Sequence, residues 1–466
     1  MRTSILILNW NGLDVLAPCL AAIERNTPAD DYEVIVLDNG SEEAGVEQVV
    51  RPFPKVRLIK EAVNHGFSRG NNLAAAQARG QFLVILNNDT VPGPGWLEPL
   101  LASLVKGVGI AGARLVDRDG RVHFAGAYFD PAISAYARLF RHYPPEAVTA
   151  PRECEAYIAC GIALRRELFE SVGGFDEGYF QGYEDMDLCL KVRERGLKIE
   201  YCPDSVIEHI ENVSMNRMRR TDRRKHKEDN RRRFELLWNQ RIHEFRLPPP
   251  AEGRADFESY EWVDEGLVAN VRAAGSVLHL GCGTGQLGKR LKDLGKATRV
   301  TGVEEDRTAI TLASRLLDQV VHADLEQASR HLEGPFDTVL LSLRLERMRD
   351  PWEALRQFAS HLREGGQLVA RFHNVVHYKL LKRLAFRDWR YEPEGLLAES
   401  ALRFFSRGSI EDLLQWSGFE ITELVREENT GPAWRLLRGS WVRARELTTS
   451  SFIVKARRRS HSAVRE

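Results

Sequence analysis

The chain has 466 residues, of which 43% are hydrophobic and 28% are charged, and this composition excludes a disordered or fibrous protein. The length exceeds what one hydrophobic core ordinarily supports, so two or three domains are expected. Lys plus Arg and Asp plus Glu balance at 66 each, so the net charge does not indicate a particular class of partner.

The cysteines and the first residues bear on the compartment. The six cysteines form no Cys-x-x-Cys pair and lie mostly in apolar stretches, which is typical of a reduced, cytosolic protein rather than of a disulfide or zinc framework. Residues 1–9 have the pattern of a buried strand rather than of a signal peptide. No apolar run approaches the roughly 18 residues that span a bilayer. We expect a cytoplasmic protein, at most peripheral at the inner face of a membrane.

The first half of the chain alternates short β-branched apolar runs with amphipathic segments. The predicted strands are Ser4–Leu8, Glu33–Leu37, Val56–Lys60 and Phe82–Leu86, and the predicted helices between them are Val15–Arg25 and Asn71–Arg79. This order predicts an α/β fold with a parallel sheet, in which ligands bind at the carboxyl ends of the strands.

Polar residues follow the first two predicted strands. Asn9 and Asn11 belong to Asn9-Trp10-Asn11-Gly12, and Asp38 opens Asp38-Asn39-Gly40-Ser41. A carboxylate at this place can accept hydrogen bonds from a pyrimidine imide edge or a ribose hydroxyl. Asp-Asn-Gly is also the sequence of an ordinary turn, so this motif alone leaves both interpretations open.

Two further motifs concern phosphate and metal binding. Gly66 lies shortly before Asn71 and Asn72 at a predicted helix start, where the helix N-terminus suits a nucleotide diphosphate. The fourth strand runs into Asn87-Asn88-Asp89, and the carboxylate of Asp89 can hold a hard divalent cation that also binds two phosphates.

Three acidic residues, Glu184, Asp185 and Asp187, lie at the start of a later predicted helix. Helical spacing places Asp185 on the same face as the apolar Leu188 and Val192, whereas Asp187 shares its face with Lys191 and is expected to point outward. The helix N-terminus favours the ionised form of Asp185, which suits a general base that takes the proton of an acceptor hydroxyl. The alternative is that the acids only decorate a helix start.

Residues 1–240 resemble family 2 glycosyltransferases, especially bacterial rhamnosyltransferase-like enzymes of cell-surface polysaccharide assembly. The matching stretches are Asn9-Trp10-Asn11-Gly12, Asp38-Asn39-Gly40-Ser41, Asn64-His65-Gly66-Phe67, Gly70-Asn71-Asn72, Leu86-Asn87-Asn88-Asp89, Gly173-Gly174-Phe175-Asp176 and Tyr183-Glu184-Asp185-Met186-Asp187. The resemblance implies a GT-A fold and an inverting, single-displacement transfer. The implied donor is a nucleotide-diphosphate sugar, and the implied acceptor is a glycan, a lipid-linked sugar or a protein.

The same resemblance implies roles for individual residues. It places Asp38 on the nucleotide base and Asp89 on Mg²⁺ or Mn²⁺. It makes Asp185 the general base, with Glu184 near the acceptor. Enzymes of this kind often carry a further histidine ligand some twenty residues after the base, and His209 fits that place; a purely structural histidine is the alternative.

One departure from the family pattern concerns the metal. The usual Asp-x-Asp motif reads Asn87-Asn88-Asp89, so one carboxylate is missing. The phosphates of the donor must then carry more of the coordination, and metal dependence itself is in question.

Basic residues crowd between Arg217 and Arg233, and Arg457-Arg458-Arg459 lie near the C-terminus. One interpretation is a solvated helix face and a frayed tail. The other is contact with an anionic membrane surface or a diphosphate-lipid acceptor. We do not expect nucleic-acid binding, because no aromatic residues are interleaved with the run.

A second α/β pattern follows a stiff, proline-rich linker. Its predicted strands are Ser276–Leu280, Arg299–Val303, Gln319–His322, Thr338–Ser342 and Gln367–Phe372. The expected domains are residues 1–247 and 259–445, joined by a linker over 248–258 and followed by a basic C-terminal segment over 446–466.

A glycine loop follows the first strand of this second block. Gly281, Gly283 and Gly285 allow a sharp turn and a close approach to a ligand, and their spacing differs from the G-x-G-x-x-G of NAD sites. Glu304 ends the next strand, where it can hold both ribose hydroxyls. Asp324 follows the third strand, where it can meet an adenine amino group.

This series resembles class I S-adenosylmethionine-dependent methyltransferases over about residues 260–425. Further matching stretches are Leu345–Trp352, Leu362–Leu368, Phe404-Phe405-Ser406 and Gly418-Phe419. The resemblance implies a Rossmann-like domain that binds S-adenosylmethionine. With the first block it indicates a bifunctional enzyme that also O-methylates a sugar of the same pathway; a catalytically silent scaffolding domain is the alternative.

No base for methyl transfer can be assigned from the sequence. The family often has a histidine where Arg347 stands. His373 and His377 are candidates, and ordinary surface histidines are the alternative.

Overall fold

The computed structural model describes residues 2–28, 31–130, 135–210, 220–248, 253, 257–272, 274–342, 345–386, 397, 401–428 and 444–459. The chain forms two compact units, Met1–Phe257 and Glu258–Glu466. Both are α/β, which confirms the predicted fold class. Residues 249–252 and 254–256, most of the predicted linker, lie outside the described residues.

The first unit is built on one large sheet. The strands of this unit are β1 (Thr3–Asn9), β2 (Tyr32–Asn39), β3 (Val56–Glu61), β4 (Phe82–Asn87), β5 (Thr90–Pro92), β6 (Val108–Val116), β7 (Val122–Phe124), β8 (Ala127–Asp130), β9 (Ala135–Arg138), β10 (Arg152–Cys154), β11 (Ile162–Arg165) and β12 (Lys198–His209). Strands β8 and β9 pair with each other in a separate two-stranded sheet. Its α-helices are α1 (Leu13–Asn26), α2 (Val46–Val50), α3 (Gly66–Ala76), α4 (Leu97–Ala102), α5 (Arg166–Ser171), α6 (Glu184–Glu194) and α7 (Arg220–Trp238). Short 3₁₀ turns lie at Pro145–Ala147 and Ile242–Phe245.

Within the described residues, the main path of this sheet runs β10-β12-β6-β11-β4-β1-β2-β3, with β5 beside β12 and β7 beside β6. Strand β1 is parallel to both β2 and β4, so the carboxyl ends of the three strands meet at one edge. Strand β12 pairs with β5 in a register that sets His209 opposite Thr90. This pairing brings the end of β12 to the residues that follow β4.

The four predicted strands of the first unit are observed and extend by a residue or two. Helix α3 differs, because it begins at Gly66 rather than at Asn71. Glycine is a poor helix former, but Gly70 packs so closely on Leu8 that a Cβ would lie 2.5 Å from the Leu8 side chain. Tertiary packing therefore outweighs propensity at this place.

The second unit is built on a seven-stranded sheet. Its strands are β13 (Ala274–Leu280), β14 (Ala297–Glu304), β15 (Gln319–His322), β16 (Phe336–Ser342), β17 (Leu362–His373), β18 (Phe419–Glu428) and β19 (Thr449–Arg458). Its α-helices are α8 (Glu258–Glu261), α9 (Glu265–Asn270), α10 (Gln286–Asp293), α11 (Arg307–Ala313), α12 (Pro351–Ser360), α13 (Tyr378–Ala385), α14 (Arg407–Trp416) and α15 (Ala444–Thr448), with 3₁₀ turns at Ala328–His331 and Leu345–Arg347.

The strand order of this sheet is β15-β14-β13-β16-β17-β19-β18. Strands β13 to β17 are parallel neighbours, and β19 is antiparallel to both β17 and β18. Strand order reverses between β13 and β16, and the crevice at such a switch point is where open α/β sheets bind ligands.

The structure corrects the predicted C-terminal segment. Residues 449–458 are not a separate basic tail, because they form β19 inside the sheet, with Ile453 and Val454 in the hydrophobic core. Arg457 pairs with Glu420 of β18 at 2.9 Å, so it does not belong to a frayed tail. The second unit therefore extends past residue 445, the predicted end of its domain.

The basic stretch is described only in part. Residues 217–219 and the side chains of 220–225 and 227 lie outside the described residues. The three consecutive arginines at the end of the stretch pair with acids: Arg231 with Glu235, Arg232 with Glu228, and Arg233 with Asp176. For these three residues the solvated-face interpretation is the better one.

Two further findings concern the cysteines and the apolar character of the helices. All six cysteines, Cys19, Cys154, Cys160, Cys189, Cys202 and Cys282, are free and buried. Among the described helices, none is long and apolar enough to cross a membrane.

Candidate active sites

A chain of buried polar side chains links the ends of β1, β2 and β4. Asn88 Nδ2 donates to Asn9 Oδ1 over 2.9 Å, and Asn9 Nδ2 donates to Asp38 Oδ1 over 3.1 Å. Ser41 Oγ donates to the same Asp38 oxygen over 2.5 Å. These bonds fix the carboxylate of Asp38 at the carboxyl edge of the sheet, as the sequence motif predicts.

Asn11 supports this edge from the loop after β1. Its backbone has a φ of 50°, a conformation that asparagine tolerates better than most residues. Its Oδ1 accepts the N–H groups of Glu42 and Glu43 over 2.8 and 3.1 Å, and its own N–H donates to Ser41 Oγ over 2.9 Å. Asn11 thus joins the loops that follow β1 and β2.

Gly66 permits a close approach of two loops. Its φ is +78°, and a Cβ at this position would lie 2.4 Å from the carbonyl oxygen of Phe180. The N–H of Phe67 donates to that oxygen over 2.6 Å. Glycine is therefore needed to bring the segment that leads into α6 against the start of α3.

The two asparagines of α3 are engaged with the protein itself. Asn71 is buried and donates to the carbonyl of Phe67 over 3.0 Å. Asn72 donates to the carbonyl of Phe175 over 2.9 Å and accepts its N–H over 3.0 Å, which orders the turn at Gly173 and Gly174. Both residues build the site, and their direct contact with a donor stays a prediction.

Asp89 and His209 meet at the same edge. The Nε2 atom of His209 lies 3.4 Å from Oδ1 of Asp89, and both side chains are buried. Apart from this contact, Asp89 Oδ1 and His209 Nδ1 have no hydrogen-bond partner among the described residues. Asn87, the first residue of the Asn87-Asn88-Asp89 motif, is half-buried, and its carbonyl accepts from Thr90 Oγ1 over 2.7 Å.

A carboxylate and an imidazole with unpartnered buried atoms fit a divalent cation. Within the described residues, no group of three or more His, Cys, Asp or Glu side chains could hold a metal by itself, so the pair leaves coordination positions for phosphate oxygens. Burial opposes the charged form of His209, but Cys160 and Asp89 raise its pKa to about 11. A metal ligand must lose this proton, so metal binding would release it.

Glu184 and Asp185 open α6 after Tyr183, whose φ of 74° turns the chain sharply. Burial raises the pKa of Glu184, and the neighbouring charge of Asp185 raises it further. Burial also raises the pKa of Asp185, against the hydrogen bond that it accepts from the N–H of Met186 over 2.8 Å. Asp185 is half-buried, whereas Glu184 is buried and its Oε2 has no partner among the described residues.

The expected outward position of Asp187 is wrong. Asp187 is fully buried. Its Oδ1 accepts the indole N–H of Trp238 over 2.8 Å, and Lys191 Nζ lies 2.7 Å from its Oδ2. Helix α7 covers this face of α6, and the sequence of α6 alone could not show that cover.

The glycine loop of the second unit joins β13 to α10. Gly281, Gly283 and Gly285 all have positive φ, of 71°, 55° and 85°. The N–H of Gly283 donates to Glu304 Oε2 over 2.9 Å, and Glu304 Oε1 accepts the N–H of Glu305 over 2.8 Å. Glu304 is therefore fixed at the end of β14, directly against the loop.

Tyr260 supports the glycine loop through a contact that the sequence did not reveal. Its carbonyl accepts both the N–H and the Oγ1–H of Thr284, over 3.0 and 3.1 Å. A Cβ on Gly283 would lie 2.4 Å from the same carbonyl. The contact uses a backbone atom, so no residue type could have signalled it.

Asp324 follows β15 at the same edge of the sheet. The last residue of that strand, His322, lies opposite Glu304. Asp324 is exposed, and its Oδ1 accepts the N–H of Glu326 over 2.8 Å. The structure thus places the glycine loop, Glu304 and Asp324 along one edge, and their contacts with a cofactor stay predictions.

A buried carboxylate lies beyond the end of β16. Glu346 Oε1 accepts the N–H of His373 over 2.9 Å, and its Oε2 has no partner among the described residues. Burial raises the pKa of Glu346 to about 7 and lowers the pKa of His373 to about 4. His377 is 1% exposed, so it is not a surface histidine, and neither of its ring nitrogens has a partner among the described residues.

The two halves of the chain match different protein families. Residues 4–173 match the family described as Glycosyl transferase family 2, and residues 231–424 match a family described as Methyltransferase domain. The chain joins a family 2 glycosyltransferase domain to a methyltransferase domain. Residues 145–217 also match the family described as N-terminal domain of galactosyltransferase.

Three relatives share sequence with part of the chain. "Uncharacterized protein y4gI" of Sinorhizobium fredii is 32% identical over 225 residues, 45% of this chain and 24% of that protein. "O-antigen biosynthesis protein RfbC" of Myxococcus xanthus is 29% identical over 46% of this chain and 18% of that protein. "N-acetylglucosaminyl-diphospho-decaprenol L-rhamnosyltransferase" of Mycobacterium tuberculosis is 29% identical over 38% of this chain and 66% of that protein. The match thus spans a quarter or less of the first two relatives.

Solved structures show weak similarity to parts of the chain. A mannosyltransferase from Pyrobaculum calidifontis in complex with GDP-Man and Mn²⁺ has a TM-score of 0.35 at 21% identity, over 46% of this chain and 57% of that one. A SAM-dependent methyltransferase from Archaeoglobus fulgidus has a TM-score of 0.33 at 16% identity, over 41% of this chain and 90% of that one.

Proposed function

We propose that the glycosyltransferase domain transfers a sugar, with inversion, from a nucleotide-diphosphate donor to a hydroxyl of a glycan, lipid-linked or protein acceptor. The observation that carries the proposal is the buried pair of Asp89 and His209. Unpartnered atoms of both residues lie at the carboxyl edge where Asp38 is fixed. The O-antigen and rhamnosyltransferase names of the relatives support a sugar of a cell-surface polysaccharide.

In this proposal Asp38 holds the nucleotide and Asp185 acts as the base. Asp185 accepts the proton of the acceptor hydroxyl while the acceptor oxygen attacks the anomeric carbon and the nucleotide diphosphate leaves. Glu184, buried beside it with an unpartnered Oε2, contacts the acceptor. Mg²⁺ or Mn²⁺ would be held by Asp89 and His209 and would supply positive charge for the diphosphate.

The experiment is a thermal-shift panel of nucleotide-diphosphate sugars with Mg²⁺, Mn²⁺ or EDTA, followed by turnover assays with the donor that binds. A ligand at 100 times its dissociation constant stabilises the folded state by about 2.7 kcal/mol. A donor that stabilises the protein only with metal, and that is turned over, supports the proposal. No stabilisation by any donor at saturating concentration contradicts it.

For the second domain we propose S-adenosylmethionine-dependent O-methylation of a sugar of the same pathway. The fixed glycine loop and the Glu304 carboxylate held against it support cofactor binding. S-adenosylmethionine would supply the methyl group as a sulfonium, a transfer that depends mainly on alignment. Loop residues Gly281, Gly283 and Gly285 would bind it together with Glu304 and Asp324.

A silent scaffolding domain is the alternative, and it predicts no cofactor binding. Calorimetry with S-adenosylmethionine on the full chain decides between the two. We expect micromolar binding that is lost in Gly283→Asp and retained in Gly295→Ala. Gly295 also has a positive φ, of 65°, but a Cβ there meets nothing within 4 Å. Absence of binding by the wild type would favour the scaffold.

Membrane contact through the basic stretch at 217–233 is also a proposal. Arg231, Arg232 and Arg233 already pair with acids, so the contact would depend on the residues before them. Co-sedimentation with anionic and with neutral vesicles tests it, and equal sedimentation with both would contradict it.

A further inference from the structure

Behind the Asp89–His209 pair lies a second buried histidine, His123. Its ring packs edge-on against the ring of His209, with centroids 5.1 Å apart. Its Nδ1 lies 3.0 Å from Asp117 Oδ1, and its Nε2 lies 3.3 Å from Arg138 Nη1. His123 is 2% exposed, so these contacts hold it inside the protein.

The two ring nitrogens of His123 have different partners. A guanidinium can only donate, so Nε2 accepts from Arg138 in this contact, while Nδ1 faces the carboxylate of Asp117. Asp117 and His123 thus lie in sequence behind Arg138 and fix its direction, as outer partners orient metal ligands.

Arg138 ends strand β9, which pairs with β8 so that Arg138 lies opposite Ala127. A buried carboxylate holds this strand pair, because Glu155 Oε2 accepts the N–H of Phe129 over 2.6 Å. Arg138 also acts on Asp185, since its positive charge partly offsets the rise in the pKa of that carboxyl. Arg138 is linked to His209 of the metal pair through its hydrogen bond to His123 and the ring contact of His123 with His209.

The motif Asn87-Asn88-Asp89 supplies one carboxylate, so in the proposed reaction the protein would give a cation few charged ligands, and a further positive group would help to stabilise the departing diphosphate. Arginine suits this task because its planar fork donates two parallel hydrogen bonds to a phosphate. Fixed donors aimed at developing charge are effective because they need no reorganisation during the reaction.

We propose that Arg138 binds a phosphate of the donor diphosphate beside the metal, and that His123 and Asp117 are its positioning residues. The inference rests on the proposed glycosyl transfer, which it deepens by assigning part of the diphosphate charge to the protein. A lipid-linked acceptor also carries phosphate, so the experiment has to separate the two sources.

The test is calorimetry on the full chain with UDP, GDP and dTDP, with Mn²⁺ and with EDTA, and with the matching monophosphate of the tightest binder. We expect Arg138→Gln to lose at least tenfold in diphosphate affinity in both conditions and less than twofold in monophosphate affinity. Arg138→Lys should retain part of the affinity. Lys106→Gln removes an exposed charge before β6, away from the carboxyl edge, and should change neither.

The positioning residues have a separate readout. Asp117→Leu should lower the ratio of diphosphate to monophosphate affinity, whereas Asp117→Asn, whose carbonyl still accepts from His123, should preserve it. A purely structural role would lower both affinities equally. Circular dichroism and thermal melting show whether each variant is folded, and Arg138→Lys keeps the test decisive if Arg138→Gln does not fold.

Three results would overturn the inference. If the wild type binds a nucleoside diphosphate and Arg138→Gln binds it with the same affinity, the role of Arg138 is contradicted while the proposed donor site stands. Loss of binding to a short prenyl diphosphate, with nucleotide binding intact, assigns Arg138 to the acceptor instead. Failure of the wild type to bind any of the three diphosphates contradicts the proposed donor site, and the inference with it.

Discussion

The indole N–H of Trp238 donates to the carboxylate of Asp187 over 2.8 Å, and this bond separates the roles of two acids on one helix. Asp187 is fully buried and also pairs with Lys191 at 2.7 Å, so its carboxylate is committed to the contact between α6 and α7. Asp185, two residues earlier in the chain, is half-buried at the start of the helix. The burial of Asp187 leaves Asp185 as the acid that we propose as base, on a ground other than the helical spacing.

Asp185→Asn should lower sugar transfer by roughly 10²- to 10⁴-fold, the usual contribution of a general base. Donor binding should change less than twofold, because Asp38 and Asp89 are untouched. Since burial raises the pKa of Asp185, wild-type kcat/KM should fall on the acid side at a higher pH than for an ordinary aspartate. Release of nucleoside diphosphate across pH measures both effects, and wild-type turnover in the variant would exclude this base.

Asp187→Ala should act on stability. Breaking a buried ion pair by removing one partner costs about 3–5 kcal/mol, and here Trp238 also loses its acceptor. Glu194→Ala on the same helix breaks an exposed pair with Arg241, for which about 0–1 kcal/mol is expected. Urea unfolding of the two variants makes the comparison, and equal losses would mean that the burial of Asp187 contributes nothing.

His209→Gln should weaken Mn²⁺ binding in the presence of nucleoside diphosphate. The remaining protein ligand, Asp89, leaves the cation dependent on phosphate oxygens, so we expect a shift of roughly tenfold or more in the metal midpoint, as for lost ligand-shell residues. Because His209 must release its proton, the wild-type midpoint should also improve with rising pH. An unchanged midpoint at both low and high pH would remove His209 from the metal site.

The buried Glu346 should make the second domain less stable as pH rises. Its pKa is about 7 when folded and near 4.3 when unfolded, so its contribution is present below the unfolded value and is lost as pH rises through the folded one. In urea unfolding, Glu346→Gln should reduce the stability lost between pH 5 and pH 8 by about 2 kcal/mol. Glu333→Gln, an exposed carboxylate of the same domain, is the control; identical pH profiles for wild type and Glu346→Gln would contradict the assignment.

The sequence predicts the strands and the motifs at their ends well, because each depends on a local pattern. Asp38, Asp89, Gly283 and Glu304 lie where parallel strands end, and topology alone brings such places to one edge. The resemblance implied His209 as a metal ligand, but the pairing of β5 with β12 that sets it beside Asp89 could not be derived from the sequence.

The errors have tertiary causes. The spacing of α6 predicts an exposed Asp187 because it shares a face with Lys191, and Trp238, which covers it, lies 51 residues further on. The bond from Arg138 to His123 joins a strand pair to the main sheet, and neither residue belongs to a motif. The basic residues within 449–458 suggest a solvated tail. The same segment also carries Phe452, Val454 and Ala456, which are buried in β19.

The position of β19 also has a consequence for synthesis on the ribosome. Strand β18 precedes β19 in the chain but pairs only with it within the described sheet, and β17 depends on β19 along one edge. Until residue 458 has left the exit tunnel, the edge of β17 is unpaired and β18 has no neighbouring strand. Such edges are templates for wrong pairing. The methyltransferase domain therefore completes its fold after translation has passed this strand, whereas the glycosyltransferase domain can fold while synthesis continues.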